Sequence, residues 1–341
     1  MDDKLFQKNV SKAISDFYNS CQCIAHTFDE SNCDGNKNIK SHSIGKSSQL
    51  HSIAELIRNQ RKVYYRNTNF GKMQQISSQP GHKISAPFEE KSIDSTTIFN
   101  GFCHYHDSLL FNKIDLPISQ WNDEVFVQFH YRAISYELFQ LETVKRVYDI
   151  LNNTYSHSGT KFLLNRNVNH INNLQSIAAT CAQAYQSNQY NNIINKALYE
   201  FDADSPIRCS GTWIPEIDLD GNPLVDLNTN QQYPYMSYTL GIGANGKTFL
   251  AIAYTFDDSE SNIKKFIDNV TSNMNGHLLN KIILFCLTHS SNVACRPSWY
   301  KGLSQEERDF IDFSFRQFEY DKYHDFSKDV LKRTCAVTKI I

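Results

Sequence analysis

From Trp121 onward, apolar residues recur at helical spacing: Val125, Phe129, Ile134, Leu138, Leu141, Val144, Val147 and Leu151 share one broad face, with charged residues between them. This pattern predicts a long helix. A second helical stretch is expected from about Lys161 to Phe201, interrupted or bent near Ser187-Asn188, with Leu163, Leu164, Ile171, Leu174, Ile177 and Ala178 as its apolar set. Two such helices bury their stripes by pairing, as a hairpin or within a small bundle. After Asp204-Ser205-Pro206 the period shortens. β-rich runs at Gly211–Ile217, Met236–Ile242, Phe249–Phe256 and Lys281–Leu287 alternate with the turn signals Asp220-Gly221, Asn245-Gly246 and Asp257-Asp258, which predicts an antiparallel sheet. Within this region Ser261–Met274 reads as helical. Another helix is expected from Ser304, where Ser-Gln-Glu-Glu ahead of Phe310 and Ile311 has the form of a capping box.

The chain ahead of Trp121 has a different texture. Asn67 to Thr97 is rich in Gln, Ser, Lys and Gly, with a Pro80-Gly81 turn, and reads as a long loop inside the first module. The expected class is therefore α+β in three parts: a zinc-binding module with a long internal loop (1–118), a helical region (119–204) and an α+β region of mainly antiparallel sheet with flanking helices (205–341). The 341 residues are enough for several cores. Lys and Arg number 34 against 36 Asp and Glu, so a polyanion site must be a local patch. No run of about 18 apolar residues suggests a membrane span, and Met1-Asp2-Asp3-Lys4 lacks the apolar stretch of a signal peptide; a cytoplasmic location is expected. Nine cysteines there would be reduced thiols.

Four of those cysteines fall in the first third, and they carry the chemistry. Cys21-Gln22-Cys23, Cys33, His42 and then Cys103-His104-Tyr105-His106-Asp107 form a cysteine and histidine constellation. A structural zinc takes four soft or borderline ligands in a tetrahedron, and two short ligand pairs supply them across a longer loop. Cys103 and His106 form a Cys-x-x-His half-site. Cys23 and Cys33 are the favoured second half, with Cys21 and His42 as substitutes. Taken singly, such residues are buried small hydrophobes and surface histidines.

The order Cys…Cys, a His in the β-like run Asn38–Ile44, then a distant Cys-x-x-His-Asp resembles the treble-clef zinc arrangement of HNH endonucleases. Ser41-His42-Ser43-Ile44 and Gly101–Asp107 also resemble motifs of uncharacterised bacterial proteins. The resemblance implies a metal-dependent endonuclease acting on DNA or RNA in bacterial conflict such as phage defence, with His42 as general base and Asp107 as ligand to Mg²⁺ or Mn²⁺. In this chain Ser41 and Ser43 stand where the family has an acidic or His neighbour of the first motif His, and Asn100 lies three residues before Cys103. A rival class is a non-catalytic, zinc-stabilised binding or sensor protein that recognises a protein, peptide or nucleic acid.

Gly241–Thr248 satisfies the string Gly-x-x-x-x-Gly-Lys-Thr, which would make a third class, a nucleotide-binding enzyme. A phosphate loop needs a helix after the glycines, and Phe249–Phe256 reads as a strand, so a hairpin turn at Asn245-Gly246 is the expected structure. Asp218–Asn222 lacks the spaced acidic ligands of a calcium loop and is read as a turn. His130, Arg132 and Glu137 on the long helix, Arg166 with His170, and the loop segments His289–Asn292 and Arg296–Tyr300 are secondary signals. Each is read as a solvated face, a polar network, a core edge or a substrate contact.

Overall fold

The computed structural model describes residues 3–26, 32–34, 38–66, 88–155, 158–191, 193–225, 234–255, 261–274 and 276–311. The chain opens with α1 (Asp3–Ser20) and β1 (Asn38–His42). Strands β2 (Glu55–Ile57), β3 (Gln60–Arg66), β4 (Phe88–Ser92) and β5 (Ile98–Cys103) lead into α2 (His104–Asp115). Two long helices, α3 (Asp123–Tyr155) and α4 (Ser158–Ser187), precede β6 (Ile194–Phe201), β7 (Ile207–Trp213), β8 (Met236–Ile242) and β9 (Thr248–Thr255). Then follow α5 (Asn262–Ser272), α6 (Leu278–His289), β10 (Val293–Cys295) and α7 (Pro297–Gly302), and residues 305–311 are helical at the end of the described part.

The expected α+β class is observed. β1 and β5 form a two-stranded antiparallel sheet, and the other eight strands form one antiparallel sheet in the order β2-β3-β10-β7-β8-β9-β6, with β4 on β3. Alternation along β9 shows how this sheet is buried on both faces. Phe249, Ala251 and Ala253 share a core cluster with Phe129 and Ile134 of α3 and Leu174 of α4, whereas Leu250 and Ile252 pack with α5 and α6 residues such as Phe266 and Ile282. The sheet is thus the middle layer between the long helices and the C-terminal helices. Strands from residues 55–92 share it with strands from residues 194–295, so the polar first third is tied to the larger core.

The α3 and α4 helices pair, as the periodicity predicts. The second helix ends earlier than expected: Asn188 takes φ 52°, and the Asn188 and Gln189 amides donate to the Tyr185 and Ala184 carbonyls, a left-handed C-cap. Ile194–Phe201 is consequently strand β6, paired with β9 along its whole length. Lys281–Leu287, expected as a strand, lies within helix α6. Leu278–Leu287 is apolar nearly all round and buried, and such a run fits a core helix as well as a strand. Phe88–Ser92 is strand β4, where a loop is expected to continue to Thr97; residues 67–87 lie outside the described residues.

The Asn245-Gly246 hairpin is present as a three-residue form. Gly246 donates to Gly243, Gly243 donates to Lys247, and Gly246 has φ 77° while Asn245 does not enter the left-handed region. Strand β9, not a helix, follows, so no helix N-terminus is there to cradle a phosphate. Gly241 has a packing role, since a Cβ there would sit 2.5 Å from the Phe249 ring and 2.6 Å from Gln49 Oε1. The capping box is realised, with Ser304 Oγ accepting from the Glu307 amide and the Glu307 carboxylate from the Ser304 amide. Asp218–Asn222 forms a turn in which the Asp218 carboxylate accepts the Asp220 and Asn222 amides. Among the described residues no helix is long and apolar enough to cross a membrane.

Candidate metal centre

Three short segments meet where α1 ends. The Cys21 amide caps α1 by donating to Phe17, and Ile24 donates to the Gly101 carbonyl at 2.8 Å, which pins the Cys21–Cys23 turn to β5. Cys103 ends β5 and is the N-cap of α2, and His106 stands in the first turn of that helix. Cys33 completes the group: one ligand atom from each of Cys23, Cys33, Cys103 and His106 lies within 4.8 Å of all the others.

The geometry matches the donor set of a tetrahedral zinc. Zn–S of about 2.3 Å and Zn–N of about 2.0 Å require S···N separations of roughly 3.5 Å. His106 Nδ1 lies 3.4 Å from Cys23 Sγ and 3.3 Å from Cys103 Sγ. Cys23, Cys103 and His106 are at most 3% exposed, and Cys33 is half-buried. Backbone amides point at the sulfurs: Cys103 N–H donates to Cys23 Sγ at 3.4 Å and His106 N–H to Cys103 Sγ at 3.5 Å. The bond to Cys23 opposes the burial that pushes its thiol pKa up, and backbone amides of this kind suit a metal-bound sulfur. Four protein donors fill a tetrahedron and leave no open position, so a zinc here serves structure.

The two substitute ligands are engaged elsewhere. Cys21 Sγ donates to the Asn100 carbonyl at 3.0 Å, and Asn38 Nδ2 bridges the Cys21 and Asn100 carbonyls. His42, the last residue of β1, has Nε2 3.2 Å from the Ile93 carbonyl oxygen; that ring nitrogen therefore carries the proton and donates it.

His42 and Asp107, far apart in the chain, lie within electrostatic reach of each other. β1 runs antiparallel to β5, with His42 opposite Ile98, and α2 follows β5 directly, so Asp107 in its first turn lies near Ser41 of β1. Each lies in the other's field. Burial pushes the His42 pKa down, with the Ile93 carbonyl and Asp107 opposing and Lys46 and Arg132 assisting. Burial pushes Asp107 up, with the Arg132 guanidinium and Ser41 opposing. Arg132 lies against the Phe111 ring, 4.2 Å from its centroid, and pairs with Asp115 at 2.8 Å; Lys46 pairs with Asp94. Lys46, Asp94 and Asp115 escaped the sequence reading because nothing in their spacing links them to His42.

Of the secondary signals, His130 is fully buried with Nδ1 2.7 Å from Ser237 Oγ, a link between α3 and β8. Trp299 and Tyr300 belong to the edge of the core under the sheet. Glu137, Arg166, His170 and His289 line one cleft, far apart in sequence. No protein-family profile, curated protein or solved structure matches the chain.

Proposed function

We propose that the protein is a zinc-stabilised, nucleic-acid-directed phosphodiesterase whose chemistry is centred on His42 and Asp107. The observation that carries this reading is the His42 imidazole, held neutral by burial and fixed by its Nε2–H bond to the Ile93 carbonyl. That bond makes Nδ1 the lone-pair nitrogen, as a general base requires. The chain order of Cys23 and Cys33, strand β1 with His42, then β5 ending at Cys103 and helix α2 with His106 also supports a treble-clef-like module of the HNH kind.

In this reading Cys23, Cys33, Cys103 and His106 hold the zinc and fix α2 against the β1–β5 pair. His42 Nδ1 takes a proton from water as the water oxygen attacks phosphorus. The bond from phosphorus to the leaving sugar oxygen breaks, and that oxygen takes a proton from solvent. A Mg²⁺ or Mn²⁺ held by Asp107 would supply stabilisation for the charge on the phosphoryl oxygens. Lys46 and Arg132 add positive charge next to these two side chains.

The test is cleavage of plasmid DNA and of single-stranded DNA and RNA in Mg²⁺ or Mn²⁺. His42→Ala should lower the rate by about 10²–10⁴-fold with zinc content unchanged. Equal cleavage by the variant removes His42 as the base. No cleavage by the wild type supports the second reading, a non-catalytic binding module folded by zinc, which the Ser41 and Ser43 neighbours of His42 favour.

A further inference from the structure

We propose that the outer edge of β6 is a self-association surface, through which two copies of this chain pair antiparallel about a twofold axis at Leu198. The strand contains neither a donor of the cysteine cluster nor His42, and the proposal stands independently of phosphodiester chemistry.

β6 ends the large sheet, and among the described residues β9 is the one strand paired with it. In an antiparallel strand the N–H and C=O of alternate residues turn to opposite sides, so half of the backbone groups along Ile194–Phe201 point away from β9. Sheets blunt such edges with short strands, charged side chains, prolines and bulges. The other end of this sheet follows that rule: β2 is three residues long, and Glu89, Glu90 and Lys91 fill three of the five positions of β4. β6 departs from it. Its eight residues run in unbroken register against β9, from Ile194 opposite Thr255 to Phe201 opposite Thr248, with no proline, glycine or bulge. Ala197 and Leu198 at its centre are only half-buried.

The strand also carries its own complement. Lys196 and Glu200 are its two charged residues, both exposed, and by alternation they share a face with Leu198 between them. A twofold axis perpendicular to the sheet sets residues of that one face opposite each other. Centred on Leu198, it places Lys196 against the partner's Glu200 and Glu200 against the partner's Lys196, with Ala197 against the partner's Tyr199. Centred one residue earlier, it sets Lys196 against the partner's Leu198; centred one residue later, it sets Glu200 there. Of these registers only the one at Leu198 matches the two charged residues of the strand with each other, and opposite charges across a strand pair favour it while like charges oppose it. Lys196 also pairs with Asp123 at the start of α3, and Glu200 accepts from Asn245 Nδ2 at 3.2 Å. The register uses the opposite sign of the two positions, not a vacancy at either. Because the axis consumes both edges, the assembly closes at two chains and joins their eight-stranded sheets into one.

The experiment is sedimentation velocity of the full-length zinc-loaded protein from about 1 to 100 µM. The expected result for the wild type is a mass that rises to two chains and no further. Lys196→Glu and Glu200→Lys each set like charges against each other twice, and each should weaken the dimer by about tenfold or more. An equimolar mixture of the two variants should recover it, since two acids then face two lysines. Where Lys196→Glu fails to fold beside Asp123, Leu198→Cys decides: opposite residues of an antiparallel pair have Cα atoms about 4.5–5.5 Å apart, within disulfide reach. Diamide, which takes up the two electrons and two protons of the thiol pair, should link this variant into a covalent dimer and leave the wild type unlinked. A wild type that stays monomeric at about 100 µM overturns the proposal and leaves the edge to a strand of another protein. So does a dimer equally tight in both charge variants, or the absence of a cross-link through residue 198.

Discussion

Replacing His130 by asparagine should make the protein markedly less sensitive to acid. His130 is fully buried, and burial alone holds its pKa down to about 3. Ser237 Oγ donates to the Ala253 carbonyl at 3.3 Å, so the 2.7 Å contact from His130 Nδ1 is best satisfied by Nδ1–H donating to Ser237. The ring nitrogen that acid must protonate is then Nε2, which is buried with no partner among the described residues. The unfolded chain takes up that proton near pH 6.5 and the folded chain does not, so stability is complete above about pH 6.5 and falls as pH drops towards the folded pKa. At about 1.36 kcal/mol per pH unit, a fall from pH 7.5 to 5.0 costs roughly 2 kcal/mol through this residue alone. The side-chain amide introduced by His130→Asn still donates to Ser237 and does not titrate. Urea unfolding of wild type and His130→Asn at both pH values, with saturating zinc, isolates the difference, because every other titrating group is shared. The wild type should lose about 2 kcal/mol more than the variant. Losses equal within about 0.5 kcal/mol would refute the reasoning.

Asn292 is a joint between the first third and the sheet: its Nδ2 donates to the Ser210 carbonyl at 2.8 Å, and its Oδ1 accepts from Ser43 Oγ at 3.1 Å. Asn292→Ala should cost about 2–4 kcal/mol by urea unfolding, since buried partners are left unsatisfied; a cost below about 1 kcal/mol would show that they find other partners. Gly101 has no room for a side chain, because a Cβ would sit 2.3 Å from the Phe99 ring and 3.1 Å from Ile24 Cδ1. Gly101→Ala should therefore destabilise by about 1–3 kcal/mol and speed zinc loss to a chelator, since Ile24 adjoins Cys23; wild-type release kinetics would contradict this.

What the sequence disclosed follows the range of the physics involved. The α3 periodicity, the Ser304 capping box and the Gly246 turn are set by neighbours within a few residues, and each is present. The four metal donors are also found together, because ligand chemistry tolerates few residue types even at long range. The failures are elements defined by distant partners. The Leu278–Leu287 run carries no period to distinguish a buried helix from a buried strand. β6 is an edge strand stabilised by β9, which follows only after two further strands' worth of chain, and β4 depends on β3 across a long insertion. The same holds for the cleft: Glu137, His170 and His289 each looked incidental until α3, α4 and the sheet brought them together.

The central claim is a structural zinc held by Cys23, Cys33, Cys103 and His106, with His42 outside its coordination sphere. Elemental mass spectrometry of purified wild type, Cys103→Ser and His42→Ala tests it directly. The expected result is one zinc per chain in the wild type and in His42→Ala, and loss of zinc in Cys103→Ser. Zinc lost from His42→Ala as well would make His42 a ligand and end its role as a base, and a wild type purified without metal would contradict the account at its root.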